Sequence, residues 1–116
     1  MNKRTKATAI SDKTKHEVIE RDEICIFCKI GYHMPKENYY ELFIKDPMHY
    51  IPKSLGGLGI LQNLALGCRY HHQMVEHANI NHREEMQGIF KEYLKELYPN
   101  WNEKDLYYKK WGHNEN

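Results

Sequence analysis

The pattern of apolar and polar positions changes twice along this chain. Residues 1–10 are polar and basic without an apolar period, which predicts a disordered arm. A helix is expected to begin near Ser11 or Asp12 and to end by Asp22, after a short apolar face. The middle of the chain alternates between short apolar runs and turn residues. The last third has a long helical period.

The middle section predicts short strands followed by a helix. Residues 39–44 are rich in aromatic and β-branched side chains, and residues 48–51 form a second short run of this kind. A flexible glycine-rich loop at 54–59 separates them from a return strand at 64–66. A helix is then expected from Cys68 to about His77. This order of elements predicts the α+β class.

The last third predicts one longer helix and a C-terminal extension. Asn81 is a suitable N-cap and Pro99 follows the end of the period. The apolar stripe of this helix is Met86, Ile89, Phe90, Tyr93, Leu94 and Leu97. The division of the chain is therefore an arm at 1–10, one domain at 11–98 and an extension at 99–116. The aromatic residues of the extension are expected to hold a short terminal helix on the domain: Trp101, Tyr107, Tyr108 and Trp111.

Composition excludes a membrane protein and leaves nucleic-acid binding open. With 116 residues and a net charge of +1, the chain is expected to be one small globular domain. No apolar run approaches the ~20 residues that a membrane helix needs, so no membrane partner and a cytoplasmic location are expected. Through Lys15 the chain carries five basic residues and one acidic residue. This basic arm is either a phosphate-binding segment or a solvated tail.

Two pairs of residues have the spacing of metal ligands. Cys25 and Cys28 are separated by two residues, and so are Cys68 and His71. Each spacing lets both ligand atoms face one ion, and three thiolates with one imidazole suit a structural zinc ion. A redox role for Cys25 and Cys28 would need a βαβ context that the sequence does not display. The pattern therefore predicts a zinc site that ties the first helix to the helix after Cys68.

Further residues are interleaved with the zinc ligands. His49 lies between the two pairs, Asn63 precedes Cys68, and His72 follows His71 directly. In this arrangement the chain resembles the HNH endonuclease family of ββα-metal (His-Me finger) nucleases, in particular the small zinc-containing proteins common in phages. The resemblance spans roughly residues 11–77. It implies a ββα-metal core with a structural zinc knuckle and flanking helices.

The resemblance also implies catalytic roles. His49 matches the general base, Asn63 matches the residue that orients the base or the hairpin loop, and His72 matches the ligand of a catalytic Mg²⁺ or Mn²⁺ ion. An imidazole suits the base because its ordinary pKa of about 6.5 leaves neutral imidazole available at physiological pH. Adjacent residues of a helix point about 100° apart, so His71 can face zinc while His72 faces the cleft.

The sequence departs from the family at two positions. The family more often has cysteine where this chain has His71, and tetrahedral zinc accepts either set. The family usually has Asp or His before the base, whereas this chain has Met48, a poor ligand for a hard ion. Glu76 lies one helical turn after His72 and either completes the ion site or is a solvated carboxylate. Weaker candidates are His77 and Asp46.

The function expected from this resemblance is hydrolysis of DNA phosphodiester bonds, with DNA as partner, Zn²⁺ as structural ion and Mg²⁺ or Mn²⁺ as catalytic ion. A phage-encoded protein would act in the cytoplasm of the host cell. The alternative is a zinc-stabilised DNA-binding module that does not cleave because Met48 weakens the ion site. A zinc-knuckle protein-interaction domain would leave Asn63 and His72 unexplained.

Overall fold

Short helices surround one small sheet in this α+β protein. The computed structural model of the chain describes residues 2–37, 40–77 and 80–110. In chain order the helices and strands are α1 (Lys3–Thr8), α2 (Asp12–Asp22), α3 (Ile26–Lys29), β1 (Lys45–His49), β2 (Leu64–Cys68), α4 (Arg69–His77) and α5 (Ile80–Leu97). In the described residues, one 3-10 turn precedes β1, two lie between the strands, and one follows α5.

The arm predicted to be disordered is helical. Asn2 caps α1 (Lys3–Thr8) with its side chain, and the helix is attached to the loop between the strands. The Arg4 guanidinium donates to the carbonyl of Ser54 at 3.0 Å, and the Gly59 amide donates to a carbonyl of α1 at 3.0 Å. The prediction of disorder is wrong. The contacts that stabilise α1 are made with residues distant in the sequence, so they produce no apolar period within residues 1–10.

Helix α2 has the boundaries that the sequence predicts. Ser11 is its N-cap, and the Ser11 hydroxyl accepts a hydrogen bond from the Thr14 amide at 3.1 Å. The helix ends at Asp22, and Glu23 follows with a positive φ of 67°. A side-chain cap at Ser11 and a tight turn at Glu23, in which the Ile24 amide donates to the Asp22 carbonyl at 2.7 Å, thus define the two ends. Val18 is fully buried against β2.

The two strands form an antiparallel hairpin, in which Met48 faces Ala65 and His49 faces Leu64. The predicted strand at 39–44 is wrong: Tyr40–Leu42 is a 3-10 turn, and positions 38 and 39 lie outside the described residues. The first strand lies further along the chain and contains Pro47. Since both strands of a two-stranded sheet are edges, a proline is tolerated there.

The second strand and the helix after it agree with the sequence pattern. All five residues of β2 are buried, and its last residue is Cys68. Helix α4 starts directly after it, close to the predicted position. Residues 50 and 51, predicted to be strand, instead follow β1, although the Tyr50 amide still donates to the Asn63 carbonyl at 2.7 Å. The hairpin therefore leads straight into α4.

The described part of the C-terminal extension, up to residue 110, contacts the domain. Helix α5 begins one residue before the predicted cap Asn81 and ends before Pro99. Leu106 is buried in a 3-10 turn, and Tyr107 forms an isolated antiparallel bridge with Gly57. The Trp101 indole donates to the Gln62 carbonyl at 2.7 Å. The predicted contact of Trp111 lies outside the described residues. No helix in the described part of the chain is long and apolar enough to cross a membrane.

A buried carboxylate joins three of these elements. Asp22, at the end of α2, is fully buried. It forms an ion pair with Arg21 at 2.6 Å and accepts hydrogen bonds from the Leu66 amide of β2, at 2.7 Å, and from the Tyr93 hydroxyl of α5. A buried charge is tolerated only when it is paired and hydrogen-bonded. Each of these partners therefore offsets part of the desolvation of Asp22.

Replacing Asp22 should consequently destabilise the fold. We expect Asp22→Asn to lower the free energy of unfolding by about 2–4 kcal/mol, because it leaves Arg21 without its ionic partner. Urea unfolding measures this difference. Asp12→Asn, at the exposed first turn of the same helix, is the matched control and should change stability little. Equal stabilities of the two variants would contradict the central role of Asp22.

Candidate functional site

Four side chains from three elements meet beside the hairpin. Cys25 directly precedes α3 and Cys28 lies within it. Cys68 ends β2, and His71 lies in the first turn of α4. Their sulfur and nitrogen atoms all lie within 4.8 Å of one another. Cys25, Cys68 and His71 are buried, whereas Cys28 is partly exposed. The sequence prediction that these four residues come together is confirmed, and they can hold a metal ion such as zinc.

The distances within the group fit a tetrahedral zinc site. Zinc–sulfur bonds of about 2.3 Å and zinc–nitrogen bonds of about 2.0 Å imply sulfur–sulfur separations of about 3.8 Å and sulfur–nitrogen separations of about 3.6 Å. The Cys28 and Cys68 sulfurs are 3.7 Å apart. His71 Nδ1 lies 3.7, 3.6 and 3.4 Å from the sulfurs of Cys25, Cys28 and Cys68.

The ring of His71 is oriented for metal binding through Nδ1. Its Nε2 lies 2.6 Å from the carbonyl oxygen of Tyr32. Because a carbonyl only accepts, Nε2 carries the proton and Nδ1 keeps its lone pair toward the sulfurs. A hydrogen bond from the second ring nitrogen is the usual support of a ligating histidine. The loop after α3 thus fixes the tautomer of His71, a contact that the sequence spacing did not indicate.

The three cysteine sulfurs crowd one another. Burial, together with the neighbouring Cys25 thiolate, raises the pKa of Cys28 to about 11. The hydrogen bond to Cys25 and burial also raise the pKa of Cys68. Three thiolates within this space repel one another, and a divalent cation removes that repulsion because thiolates are its ligands. The donor set and its electrostatics therefore both fit zinc.

His49 lies at the end of β1 and is held by α1. It is half-buried, and its Nε2 lies 2.9 Å from the carbonyl oxygen of Thr8. The carbonyl requires Nε2 to be the donor, so Nδ1 of the neutral ring is the basic nitrogen. Burial lowers the pKa of His49 below 6.5, and the charges of Lys53 and His72 lower it further. His49 is therefore a neutral base at physiological pH.

Asn63 holds the loop and not the imidazole. Its side chain is fully buried. The Asn63 amide oxygen accepts from the Ile51 amide at 2.8 Å, and the amide nitrogen donates to the carbonyls of Ile51 and Leu58 at 3.2 and 2.8 Å. Of the two alternatives that the sequence left open for Asn63, the structure places it at the hairpin loop. It positions the residues that follow His49.

His72 and Glu76 face a cleft together with His49. The cleft has a volume of about 440 Å³ and is lined also by Lys53 and Arg83. His72 Nε2 lies 3.3 Å from a carboxylate oxygen of Glu76, one turn later on α4. His71 points to the cysteines and His72 to the cleft, as their helical spacing predicts. Within the described residues, no third histidine, cysteine or carboxylate joins this pair in a metal-binding group.

Among the described side chains, neither Met48 nor the candidate Asp46 supplies that third ligand. Met48 is buried in the core, and its side chain fills the space beside Gly67, where a Cβ atom would lie 2.3 Å from the Met48 sulfur. Asp46 forms an ion pair with Lys15 of α2 at 3.5 Å. The side chain of His77 lies outside the described residues. Sequence reasoning also missed Thr8, whose carbonyl orients His49, because a backbone acceptor has no signature in the sequence.

Comparisons of this chain with protein-family models, with curated proteins and with solved structures found no match.

We expect the purified protein to contain about one zinc ion per chain, held by the four residues of the cysteine–histidine group. Cys68→Ser and His71→Ala should lose most of this zinc and lower the melting temperature, because structural zinc contributes folding free energy directly. Metal analysis together with thermal unfolding measures both effects. His72→Ala is the matched control on the neighbouring position and should keep its zinc. Unchanged zinc content in Cys68→Ser would contradict the assignment.

The titration of His49 is a second test. Because its pKa is lowered in the fold, its NMR titration midpoint should lie below 6.5. Lys53→Met should move the midpoint upward by removing a neighbouring positive charge, whereas Lys13→Met in the exposed first turn of α2 should not. The unfolded chain binds this proton more strongly than the folded protein does. The contribution of His49 to the free energy of unfolding is therefore present above pH 6.5 and is lost as the pH falls below it. A midpoint above 6.5 would contradict the role of burial.

Proposed function

We propose that this protein is a metal-dependent DNA endonuclease of the HNH type that hydrolyses phosphodiester bonds. The observation that carries the proposal is that His49, His72 and Glu76 line one cleft, while His71 faces the separate cysteine group. The order of β1, loop, β2 and α4 supports it, since the ββα-metal (His-Me finger) motif has this order. The structural ion of the enzyme would be Zn²⁺.

His49 acts as the general base in this proposal. Its Nε2–H is engaged with the Thr8 carbonyl, so Nδ1 is the atom that takes a proton from the attacking water. The lowered pKa keeps the ring neutral at physiological pH, which is the form that a base needs. Asn63 contributes indirectly, because its three hydrogen bonds to the loop fix the backbone after His49.

His72 and Glu76 would hold the catalytic ion. One imidazole and one carboxylate suit a site in which phosphate oxygens and water complete the coordination. A bound Mg²⁺ or Mn²⁺ ion supplies positive charge that stabilises the phosphate as negative charge develops on it. His72 and Glu76 belong to successive turns of α4 and approach within 3.3 Å, so little rearrangement is needed for both to bind one ion.

The walls of the cleft can bind the DNA backbone. Lys53, in the segment between the two strands, and Arg83 of α5 both line the cleft. Cationic side chains of this kind neutralise phosphates, and each such contact makes the affinity depend on salt. Helix α1 carries Lys3, Arg4 and Lys6. Arg4 attaches this helix to the segment that contains Lys53, because its guanidinium donates to the Ser54 carbonyl. These charges favour DNA over a neutral substrate.

The alternative function is a zinc-stabilised DNA-binding module that does not cleave. It is favoured by Met48, which stands where the family usually has a metal ligand and is buried in the core. With only two protein ligands the ion site would be weak. Retained DNA binding without cleavage in Mg²⁺, Mn²⁺ and Ni²⁺ would establish this alternative.

A plasmid-nicking assay tests the nuclease. We expect His49→Ala to lower the rate of nicking by ~10²–10⁴-fold, the usual contribution of a general base. His72→Ala should also abolish nicking and in addition lose binding of the catalytic ion. Both variants should keep the zinc content and DNA affinity of the wild type, because neither residue belongs to the zinc group.

His16→Ala is the control for loss of an exposed histidine, since His16 lies on the outer face of α2. It should nick at the wild-type rate. Near-normal nicking by a folded His49→Ala variant would overturn the proposed mechanism, and loss of nicking in His16→Ala would indicate a nonspecific cause.

A further inference from the structure

A second group of potential metal ligands lies apart from the nuclease cleft. His33 belongs to the loop after α3, whereas His82 and Glu85 lie on α5. One ligand atom of each residue lies within 4.8 Å of the others. We propose that these three residues form a second transition-metal site of this protein, with Zn²⁺ as its ion. The proposal is independent of the nuclease function.

Both segments present their side chains to the same point. His82 and Glu85 are three residues apart on α5, so they share one face of the helix. The ring centroids of His33 and His82 are 4.7 Å apart. His33 has a φ of 41°, in the left-handed region that non-glycine residues rarely adopt. The loop therefore adopts an unfavourable backbone conformation at His33, the residue whose imidazole lies beside His82 of α5.

A neighbouring hydroxyl orients the carboxylate. The Tyr32 hydroxyl donates to Glu85 Oε1 at 2.6 Å, and a carboxylate oxygen of Glu85 lies within 4.8 Å of the ligand atoms of both histidines. Hydrogen bonds of this kind orient ligating carboxylates in metal sites. Tyr32 is also the residue whose carbonyl accepts from His71 of the cysteine group. One residue therefore supports both groups, through its side chain on one side and its backbone on the other.

The donor set selects the class of ion. Two imidazoles and one carboxylate suit zinc, and three protein ligands leave a fourth position for water or an external ligand. Calcium and magnesium are disfavoured because they prefer oxygen ligands. The site borders a cleft of about 910 Å³ whose lining includes Ile26, Lys29, Ile30, Tyr32, His33 and Glu85. The open coordination position would therefore face accessible space.

Binding of zinc here would attach the loop after α3 to α5. Helix α5 reaches both clefts, because Arg83 and Gln87 line the one that contains His49, while Glu85 and Ile89 line the other. Occupation of the site would thus fix the first turns of α5 against the loop that supports His71. Added zinc should accordingly raise the melting temperature of the protein beyond the effect of the first ion.

Titration with Zn²⁺ tests the site on the full chain. We expect His72→Ala protein, which lacks one ligand of the cleft site and already contains one zinc ion, to bind one further equivalent in calorimetry. In the same background, His33→Ala and His82→Ala should lose this second equivalent while keeping the first. Glu85→Gln should weaken it at least tenfold, because the charge of the carboxylate is removed. His16→Ala and Glu84→Gln are matched controls on exposed positions and should bind as the wild type does.

Cobalt separates the two sites by their ligands. Co²⁺ at the cysteine group should give thiolate charge-transfer absorption, whereas the second equivalent should add only the d–d bands of nitrogen and oxygen ligation. A wild-type protein that saturates at one ion would overturn the proposal. A second equivalent that survives in both His33→Ala and His82→Ala would also overturn it, since the ion would then lie elsewhere. Neither outcome depends on nuclease activity.

Discussion

The buried carboxylate of Asp22 is the constraint on which the arrangement of the elements depends. A fully buried charge needs partners, and its partners come from three different parts of the chain: Arg21 beside it, the Leu66 amide of β2 and the Tyr93 hydroxyl of α5. Arg21 extends the network, since its guanidinium also donates to the carbonyl of Leu64 at 2.6 Å. Satisfying one charge thus ties β2 and α5 to the end of α2, and β2 carries the chain into α4. The positions of His71 and His72 follow from this.

Helix α4 presents one face to the cysteine–histidine group and another face to the cleft that contains His49. His71 is fully buried among three cysteines, whereas the next residue, His72, is partly exposed beside Glu76. This division needs only the 100° step of a helix and a short strand that ends at Cys68. It explains how one helix of nine residues can contribute to the cysteine–histidine group and also, in the proposed function, to a catalytic ion site. It also means that a shift of α4 along its axis would disturb both sides together.

The sequence was sufficient where spacing determines geometry. The four residues of the cysteine–histidine group come together as predicted, because two-residue gaps constrain the directions of the ligands. Ser11 starts α2 because its hydroxyl accepts a hydrogen bond from the Thr14 amide, three residues later. The sequence failed where long-range contacts decide. Helix α1 is stabilised by the loop between the strands, and Pro47 lies in a strand that was placed too early in the chain. Backbone acceptors such as the Thr8 and Tyr32 carbonyls leave no trace in residue identity, so the orientation of His49 and His71 could not be predicted.

The contact between His49 and Thr8 couples the cleft to a weakly autonomous part of the fold. A helix of six residues is not stable by itself, so α1 exists only while it is docked. Docking is close, since a Cβ atom at Gly59 would lie 2.0 Å from the Ala9 carbonyl. Local unfolding of α1 would release the imidazole of His49 without unfolding the domain. The fraction of molecules with an oriented His49 imidazole is therefore an equilibrium population, and amide hydrogen exchange in residues 3–8 would report on it.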